Sequence, residues 1–276
     1  YNTIAREIGR SVETFELFDD KRKFNIKNFS AKADSLLEKQ ERLVIILNTP
    51  AHNPTGYALS DEDWRNVVNY FSSVSKEKKI TLLADIAYID FAGDEEKYRS
   101  FLPIIEEAPE NVLVVIAHSL SKAYTLYGMR CGAMICMAKT EEIAAEFKRV
   151  CEFSARASWS NCPRAPQVIL SKIYQDPKLK AKVDEERKGF RDMLLRRGKA
   201  FEEAAAEAGL AMVPFDAGFF ASVPCENPDA LSAELEKEGI FLVPLAKGVR
   251  ISVASISEEK CRYIPGRIKA CMSKIL

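Results

Sequence analysis

Hydrophobic and polar positions alternate along the chain between short apolar runs and longer amphipathic stretches. Four apolar runs have the length and β-branched content of buried strands, at residues 42–48, 80–85, 112–117 and 131–137. Helical spacing separates them, from Ser60 onward and at residues 140–153 and 164–174. Strands this apolar, alternating with helices, predict an α/β fold with a mostly parallel sheet covered by helices on both faces.

The pattern changes after Asp176 and Pro177. A long charged helical pattern follows, and beyond it come short apolar runs and two further helical patterns. The predicted strands are 210–215, 218–223, 241–245 and 249–254, and the predicted helices are 177–208, 229–238 and 257–273. The sequence therefore predicts a large domain over residues 1–176. A connecting helix and a small α+β domain are predicted over residues 177–276.

Composition and charge exclude several classes of function. The 276 residues include 40 Lys and Arg and 40 Asp and Glu, so no net charge favours a nucleic acid or an anionic membrane as partner. No apolar run has the length of a membrane span. Seven cysteines without CxxC spacing argue against a disulfide framework or a zinc site and predict a reducing cytoplasm. With only two histidines, no metal centre is expected.

Unusual polar residues follow three of the predicted strands. The segment NTPAHNPTG (48–56) comes after the first, DIAY (85–88) after the second, and SLSKAYTLYGMR (119–130) after the third. Ligands in parallel α/β sheets gather at the carboxyl ends of the strands. These three segments are therefore expected to meet at one site.

Lys122 is the most informative residue in these segments. Burial beside a strand disfavours a charged amine, and a neutral lysine forms a Schiff base with an aldehyde such as pyridoxal phosphate (PLP). Asp85 offers a carboxylate for the ring nitrogen of PLP, and Tyr88 and Asn53 offer donors for its phenolic oxygen. The hydroxyls and the cation suited to its phosphate come from three residues: Ser119, Ser121 and Arg130.

The order and spacing of three motifs resemble those of the class I aminotransferases, which are PLP enzymes of fold type I. The motifs are N-P-T-G, then D-x-A-Y, then S-x-S-K followed by an arginine. RASWSN (156–161) resembles the segment of the aspartate and aromatic branch whose arginine, here Arg156, crosses a dimer interface to bind a substrate side-chain carboxylate. KGVRISVA (247–254) resembles the strand whose arginine, here Arg250, binds the substrate α-carboxylate. The resemblance covers nearly the whole chain.

The resemblance implies an aminotransferase that moves an amino group between aspartate, glutamate or an aromatic amino acid and a 2-oxo acid. It also implies ping-pong kinetics and a homodimer with shared active sites. The family's glycine-rich phosphate loop, stacking aromatic residue and N-terminal arm find no match here, so the chain is expected to correspond to the carboxyl-terminal two-thirds of such an enzyme. Cys162 stands where the aspartate branch usually carries proline.

Several alternatives stay open at the level of sequence. The same lysine, aspartate and tyrosine serve PLP-dependent β-lyases and synthases, and aminotransferase-like domains also act as PLP-sensing modules or persist as non-catalytic fragments. Arg156 could instead form a structural ion pair, and His52 is expected to support its loop rather than to catalyse. A cis peptide bond is expected before Pro50 or Pro54.

Overall fold

The computed structural model of the protein describes residues 1–275. The helices are α1 (Asn2–Glu7), α2 (Ile26–Leu37), α3 (Asp61–Ser73), α4 (Glu95–Arg99), α5 (Phe101–Glu106), α6 (Leu120–Ala123), α7 (Glu141–Ser158), α8 (Arg164–Gln175), α9 (Pro177–Glu207), α10 (Pro228–Glu236) and α11 (Glu258–Ile275). The strands are β1 (Arg42–Asn48), β2 (Lys79–Asp85), β3 (Val112–Ser119), β4 (Gly132–Met137), β5 (Phe220–Pro224), β6 (Val243–Leu245) and β7 (Gly248–Ser252).

The first sheet has the strand order β1-β2-β3-β4 and is a mixed sheet with parallel strands flanked by helices, which confirms the predicted fold class. The four apolar runs form these strands within two residues of their predicted bounds. Main-chain hydrogen bonds join the ends of the first three strands, from Thr49 N to Asp85 O (3.1 Å) and from Ile86 N to Ala117 O (3.0 Å). The segments that follow these strands therefore begin side by side.

The second sheet is antiparallel, with the order β5-β7-β6. Arg250 lies in the central strand, opposite Ser222 on one side and Val243 on the other. The strand predicted at 210–215 is wrong, because these residues form no ladder. Val213 N does donate to Ser222 O (3.0 Å), but Pro214 has no N–H with which to extend the pairing.

The chain divides into two compact units, and the first comprises Tyr1–Ile45, Leu59–Leu82 and Phe101–Val114. Its core is aromatic, with Trp64 stacked on Phe101 at a centroid distance of 5.0 Å. The helix α3 begins with a capping box, in which the Ser60 and Asp63 side chains each accept a hydrogen bond from the other's main-chain N–H. This start agrees with the serine and early acidic residues of the sequence.

The second unit comprises Ile46–Ala58, Leu83–Ser100 and the chain from Val115 onward. Its largest core packs α9, α10 and α11 against the second sheet, around the fully buried Phe201, Leu231 and Ile268. The division passes through β1, β2 and β3, so their carboxyl ends, and every predicted site residue, belong to this unit. The predicted domain limits at 1–176 and 177–276 stay a prediction.

In the described part of the chain, the structure contains all six predicted helices, and it contains five that the sequence pattern did not predict: α1, α2, α4, α5 and α6. The helix α7 continues to Ser158, beyond the predicted end at residue 153, and therefore includes Arg156. The helix α2 was not predicted; it begins at an Asn25 cap and buries Phe29, Ala33 and Leu37. Among residues 1–275, no helix combines the length and the apolar character that crossing a membrane requires.

Candidate active site

The loop after β1 is tied to the end of β2 by Asn48. Its side-chain Nδ2 donates to Asp85 O (3.0 Å), and its Oδ1 accepts from Asn53 N (2.8 Å). The peptide bonds before Pro50 and Pro54 are both cis, as expected from the sequence. His52 Nδ1 lies 2.9 Å from Thr55 Oγ1 within the same loop. The side chain of Asn53 is therefore presented from a loop with several fixed points.

The same loop is held from the other side by residues 215–222. Gly56 has a φ of +78°, and a Cβ at this position would lie 2.2 Å from Phe215 Cδ2, so only glycine fits there. Ala58 N donates to Asp216 Oδ2, and Ser222 Oγ donates to Pro54 O, each at 2.8 Å. These contacts connect the loop to the strand β5, which pairs with the strand of Arg250.

Four side chains from four segments form a cluster, the Arg250 cluster: Asn53, Tyr88, Phe220 and Arg250. Arg250 Nη1 donates to Asn53 Oδ1 (2.9 Å), and Asn53 Nδ2 donates to Tyr88 OH (3.4 Å). The guanidinium carbon of Arg250 lies 4.3 Å from the Phe220 ring centroid, and the Phe220 ring meets Tyr88 edge-on at 5.9 Å. The guanidinium is therefore held in one orientation by a hydrogen bond and a ring face.

Lys122 lies beside this cluster in the last turn of α6 and is half-buried. Its Nζ is 5.6 Å from the centroid of the Tyr88 ring and 5.1 Å from that of Tyr127. Asp85, at the end of β2, accepts a hydrogen bond from Ala87 N through Oδ1 (3.1 Å). The structure thus brings an amine, a phenol and a guanidinium together at the carboxyl ends of the strands.

Burial and neighbouring charges set the protonation of two residues here. Burial raises the pKa of Tyr88, as do Tyr127 and Asp85, against the opposing hydrogen bond from Asn53 and the charge of Arg250. Burial lowers the pKa of His52 to about 4, although the charge of Asp85 opposes the change. At neutral pH Tyr88 is therefore a neutral phenol with a proton to donate, and His52 carries no charge.

The predicted phosphate-binding residues are less closely gathered. Ser119 ends β3, Ser121 is buried within α6, and Arg130 lies in an exposed turn with a φ of +49°. The Arg130 guanidinium donates to Tyr127 O (2.9 Å). We call residues 127–130 the Arg130 turn. The Arg130 guanidinium thus binds within its own turn.

Arg156 also lies apart from the Arg250 cluster. It is exposed on α7, and its Nη1 donates to Ser160 Oγ. No residue of α7 is buried, and Phe153 on the same helix is 78% exposed. The role predicted for Arg156 in a neighbouring subunit stays a prediction.

Two residues of the site were not singled out from the sequence. Asn48 is the first polar residue after the apolar run of β1, so its position at a strand end was a usable signal. Phe220 lies in a run of two phenylalanines that reads as ordinary strand core. Nothing local distinguishes a ring that packs on a guanidinium from one that packs on aliphatic side chains.

Comparison with known proteins places the chain in a family. The family model for aminotransferases of class I and II matches residues 1–268. The chain belongs to this family. It is 33% identical over 183 residues to an aromatic-amino-acid aminotransferase of Pseudomonas aeruginosa, an alignment that covers 64% of this chain and 44% of the relative.

Solved aminotransferase structures share the fold. One from Anaerococcus prevotii is 38% identical, with a TM-score of 0.95 over 98% of this chain and 66% of that one. An aromatic-amino-acid aminotransferase from Burkholderia pseudomallei, solved with pyridoxal phosphate covalently bound, is 23% identical with a TM-score of 0.79 over the same shares. The chain thus spans less than two-thirds of the length of the P. aeruginosa relative and about two-thirds of the solved structures.

The side chains of this aminotransferase-family chain match the ring of PLP better than its phosphate. The amine of Lys122, the carboxylate of Asp85 and the neutral phenol of Tyr88 are the groups that the aldehyde, ring nitrogen and ring oxygen require. On the phosphate side, Ser121 is buried and Arg130 turns back to Tyr127 O. The residues therefore fit the ring of the cofactor more closely than its phosphate.

Proposed function

We propose that the protein is a PLP-dependent aminotransferase that transfers an amino group between an L-amino acid and a 2-oxo acid. The observation that supports this most is the position of Lys122 Nζ beside Tyr88, within a cluster that also fixes Arg250. An attachment point for the cofactor and a carboxylate-binding cation then serve one reacting centre. Aspartate, glutamate and aromatic amino acids are the proposed donors.

Arg250 is proposed to bind the α-carboxylate of the substrate. A guanidinium presents parallel donors that match a carboxylate, and Asn53 and Phe220 already hold this one in place. When it is not bound to the cofactor, Lys122 Nζ is proposed to take the proton from the substrate α-carbon as general base and then to donate it as general acid. Arg250 therefore orients the substrate α-carbon, and Lys122 takes the proton from it.

Four residues are proposed to hold the cofactor ring: Lys122 covalently through Nζ, Asp85 at the ring nitrogen, and Tyr88 and Asn53 at the ring oxygen. Ser119, Ser121 and Arg130 are proposed to hold its phosphate. When bound, PLP supplies a ring that accepts electrons from the substrate α-carbon. Asp85 keeps a proton at the ring nitrogen, and Tyr88, as a neutral phenol, donates a hydrogen bond.

The finer features are proposals that rest on the family. Two half-reactions on one cofactor give ping-pong kinetics. We propose a homodimer in which Arg156 serves the pocket of the neighbouring subunit, which suits its exposed position on α7. A cytoplasmic location suits the seven free cysteines.

The test is covalent attachment of PLP to Lys122, measured by visible absorbance and by borohydride trapping with peptide mapping. Lys122→Arg is the matched control, because arginine keeps the charge but does not deprotonate. We expect an absorbance band in the native chain that is absent in the variant and bleached by aspartate or glutamate. Equal bands in both proteins would refute the role of Lys122.

A second measurement separates transamination from elimination on the same residues. Transamination needs a 2-oxo acid acceptor for turnover, whereas β-elimination releases ammonia without one. We expect 2-oxo acid to accumulate only when 2-oxoglutarate is supplied. Ammonia released without an acceptor would identify the chain as a lyase instead.

A further inference from the structure

A buried carboxylate lies behind the site, on the turn that follows Tyr88. Asp90 is 9% exposed and lies in a 3₁₀ helix of one turn, Ile89–Phe91. Its Oδ1 accepts from Arg99 Nη2 (2.9 Å) and Arg187 Nη2 (2.8 Å), and its Oδ2 lies 3.3 Å from His118 Nε2. Asp90 is therefore the centre of a network that includes His118, the residue before Ser119.

Arg187 extends this network to the turn that carries Lys122. From the long helix α9, its Nε donates to Ala123 O (2.8 Å), while its Nη2 binds Asp90. Its guanidinium carbon also lies 4.6 Å from the centroid of the Tyr124 ring. One side chain, 19% exposed, thus binds the main chain next to Lys122 and the carboxylate two residues after Tyr88.

We infer that Arg187 is a positioning residue that fixes the lysine-bearing turn against the tyrosine-bearing turn. This inference rests on the proposed function, since Lys122 and Tyr88 are the groups it would align. Both turns are short, and the guanidinium contacts both at once with separate nitrogens. The distance from Lys122 Nζ to the Tyr88 ring therefore depends on an arginine that touches neither side chain.

The negative charge on Asp90 maintains its ion pair with Arg187 at neutral pH. Burial by itself raises the pKa of Asp90, but the hydrogen bond to His118 and the charges of Arg187 and Arg99 outweigh it and hold the pKa below its ordinary value. The carboxylate thus stays ionised and accepts both arginines. Asp90 keeps Arg99 and His118 as partners when Arg187 is replaced. A variant at residue 187 therefore does not leave the buried carboxylate without a partner.

A purely structural ion pair is the competing explanation, and the helix α9 provides a matched control. Arg191 lies one turn after Arg187, is 16% exposed, and pairs with Glu95 at 3.3 Å. Its recorded partners within residues 1–275 are Glu95 and Asp192, and neither belongs to the lysine turn. Arg191→Gln therefore removes a comparable cation from the same helix without touching Ala123 or Asp90.

The experiment compares Arg187→Gln, Arg187→Lys and Arg191→Gln. Two measurements need no cofactor: amide hydrogen exchange at residues 124–126, and the rate at which succinimidyl acetate acetylates Lys122, mapped by mass spectrometry. A third is the rate of borohydride-trapped PLP attachment. The fourth is kcat and KM for the amino acid donor. Unfolding midpoints are recorded for every variant.

Arg187→Gln is expected to speed exchange at residues 124–126 and to bring acetylation of Lys122 toward that of the exposed Lys148. PLP attachment and kcat should each fall roughly 10-fold or more, because misplacement of reacting groups by about 1 Å costs on the order of 10²-fold. KM should stay within about 2-fold, since Arg250 is untouched. Arg187→Lys keeps the positive charge beside Asp90 but lacks the several N–H groups that let a guanidinium bind Ala123 O and Asp90 at once. It should therefore give the same changes in exchange, acetylation, PLP attachment and kcat, with an unfolding midpoint close to the native one.

The inference is overturned if both Arg187 variants match the native chain in exchange and acetylation, or if Arg191→Gln reproduces their changes. Should Arg187→Gln fail to fold, Arg187→Lys decides by the same measurements. Absence of PLP attachment in the native chain would refute the proposed function alone. Exchange and acetylation, which use no cofactor, would still decide whether Arg187 holds the lysine turn.

Discussion

The two arginines proposed to bind anions, Arg250 and Arg130, are held in very different ways. Arg250 lies in the central strand of the second sheet, hydrogen-bonded to Asn53 and packed on the Phe220 ring. Arg130 lies in an exposed turn and binds Tyr127 O of that same turn. The first arginine is fixed by residues distant in sequence, and the second by its immediate neighbours.

In the proposed site, the arginine on the substrate side is therefore fixed by distant segments, whereas the arginine on the phosphate side is not. A guanidinium with two fixed partners loses little freedom when a carboxylate binds, whereas an exposed one must be ordered at that moment. The same contrast holds for Arg156, which contacts Ser160 on its own helix end. Substitutions should therefore cost stability around Arg250 and little around Arg130 or Arg156.

The largest expected effect contrasts two glycines, Gly56 of the loop after β1 and Gly128 of the Arg130 turn. A Cβ on Gly56 would lie 2.2 Å from Phe215 Cδ2 and 2.7 Å from Phe220 O, at a φ of +78°. Gly56→Ala should lower the free energy of unfolding by about 2 to 5 kcal/mol through overpacking and backbone strain. Urea denaturation gives the value.

Gly128→Ala is the matched change in the other region, because a Cβ there meets nothing within 4 Å. Its effect should stay within about 0.5 kcal/mol. Gly209→Ala, with a φ of +60° in open space, measures the backbone contribution alone, about 1 to 2 kcal/mol. Equal losses of unfolding free energy at Gly56 and Gly209 would show that the Phe215 side chain moves away from the added methyl group. The loop would then not be tightly held.

The next effect is a pH dependence located in the same loop. The pKa of His52 is about 4 in the folded chain against an ordinary 6.5, so below pH 6.5 the unfolded chain binds a proton that the folded chain does not. His52 therefore favours the folded state above about pH 6.5, and about 3 kcal/mol of this preference is lost as the pH falls toward 4.

Unfolding free energies of the native chain and of His52→Gln, measured across that range, isolate this contribution from the carboxylates that titrate with it. Glutamine keeps a polar partner for Thr55 but does not titrate. The difference between the two curves should grow as the pH falls below 6.5 and level off near 4. A constant difference would mean that His52 is solvated and that the loop opens readily.

The sequence could predict the parts of the site that local patterns encode. Apolar runs of strand length ended at Asn48, Asp85 and Ala117, and in the structure main-chain hydrogen bonds join the chain at the ends of these three runs. Because side chains after parallel strands share one edge of the sheet, the positions of Asp85 and Lys122 followed from hydrophobic spacing. Their proposed roles followed from the chemistry of PLP, and the family resemblance supported them.

Contacts between distant residues had no such signal. Asn53 and Arg250 are 197 positions apart, and Asp90 and Arg187 are also distant in sequence. An arginine inside a charged helix looks like any solvated cation until the fold places a carboxylate beside it. The wrong strand at 210–215 has the same origin, since strand pairing depends on a partner edge and on Pro214, while the apolar spacing reports neither.

A smaller effect compares the two arginines directly. Arg250→Met removes the donor to Asn53 Oδ1 and the cation over the Phe220 ring, so the free energy of unfolding should fall by about 2 kcal/mol. Arg130→Met should change it by about 0.5 kcal/mol or less. Similar losses at both positions would abolish the distinction between an arginine fixed by distant segments and one that is not.

The smallest effect on stability is expected at Arg156, where it separates structure from function. Arg156 is exposed, so Arg156→Gln should change the free energy of unfolding by no more than about 0.5 kcal/mol. If Arg156 binds a distal carboxylate in a neighbouring subunit, KM for aspartate and glutamate should rise roughly 10- to 100-fold with the loss of a charge-assisted hydrogen bond. KM for phenylalanine should not change.

Arg149→Gln is the control for that measurement, because Arg149 is exposed on the same helix but lies outside the RASWSN segment. An equal rise in KM for both classes of substrate in Arg156→Gln, or the same rise in Arg149→Gln, would contradict the distal-carboxylate role. A selective rise would show that the Arg156 side chain, which binds Ser160 in the isolated chain, acquires a further partner when the substrate binds. Arg156 would then be an arginine that becomes ordered only when its ligand binds. Arg250, by contrast, is already held by Asn53 and Phe220 before any ligand binds.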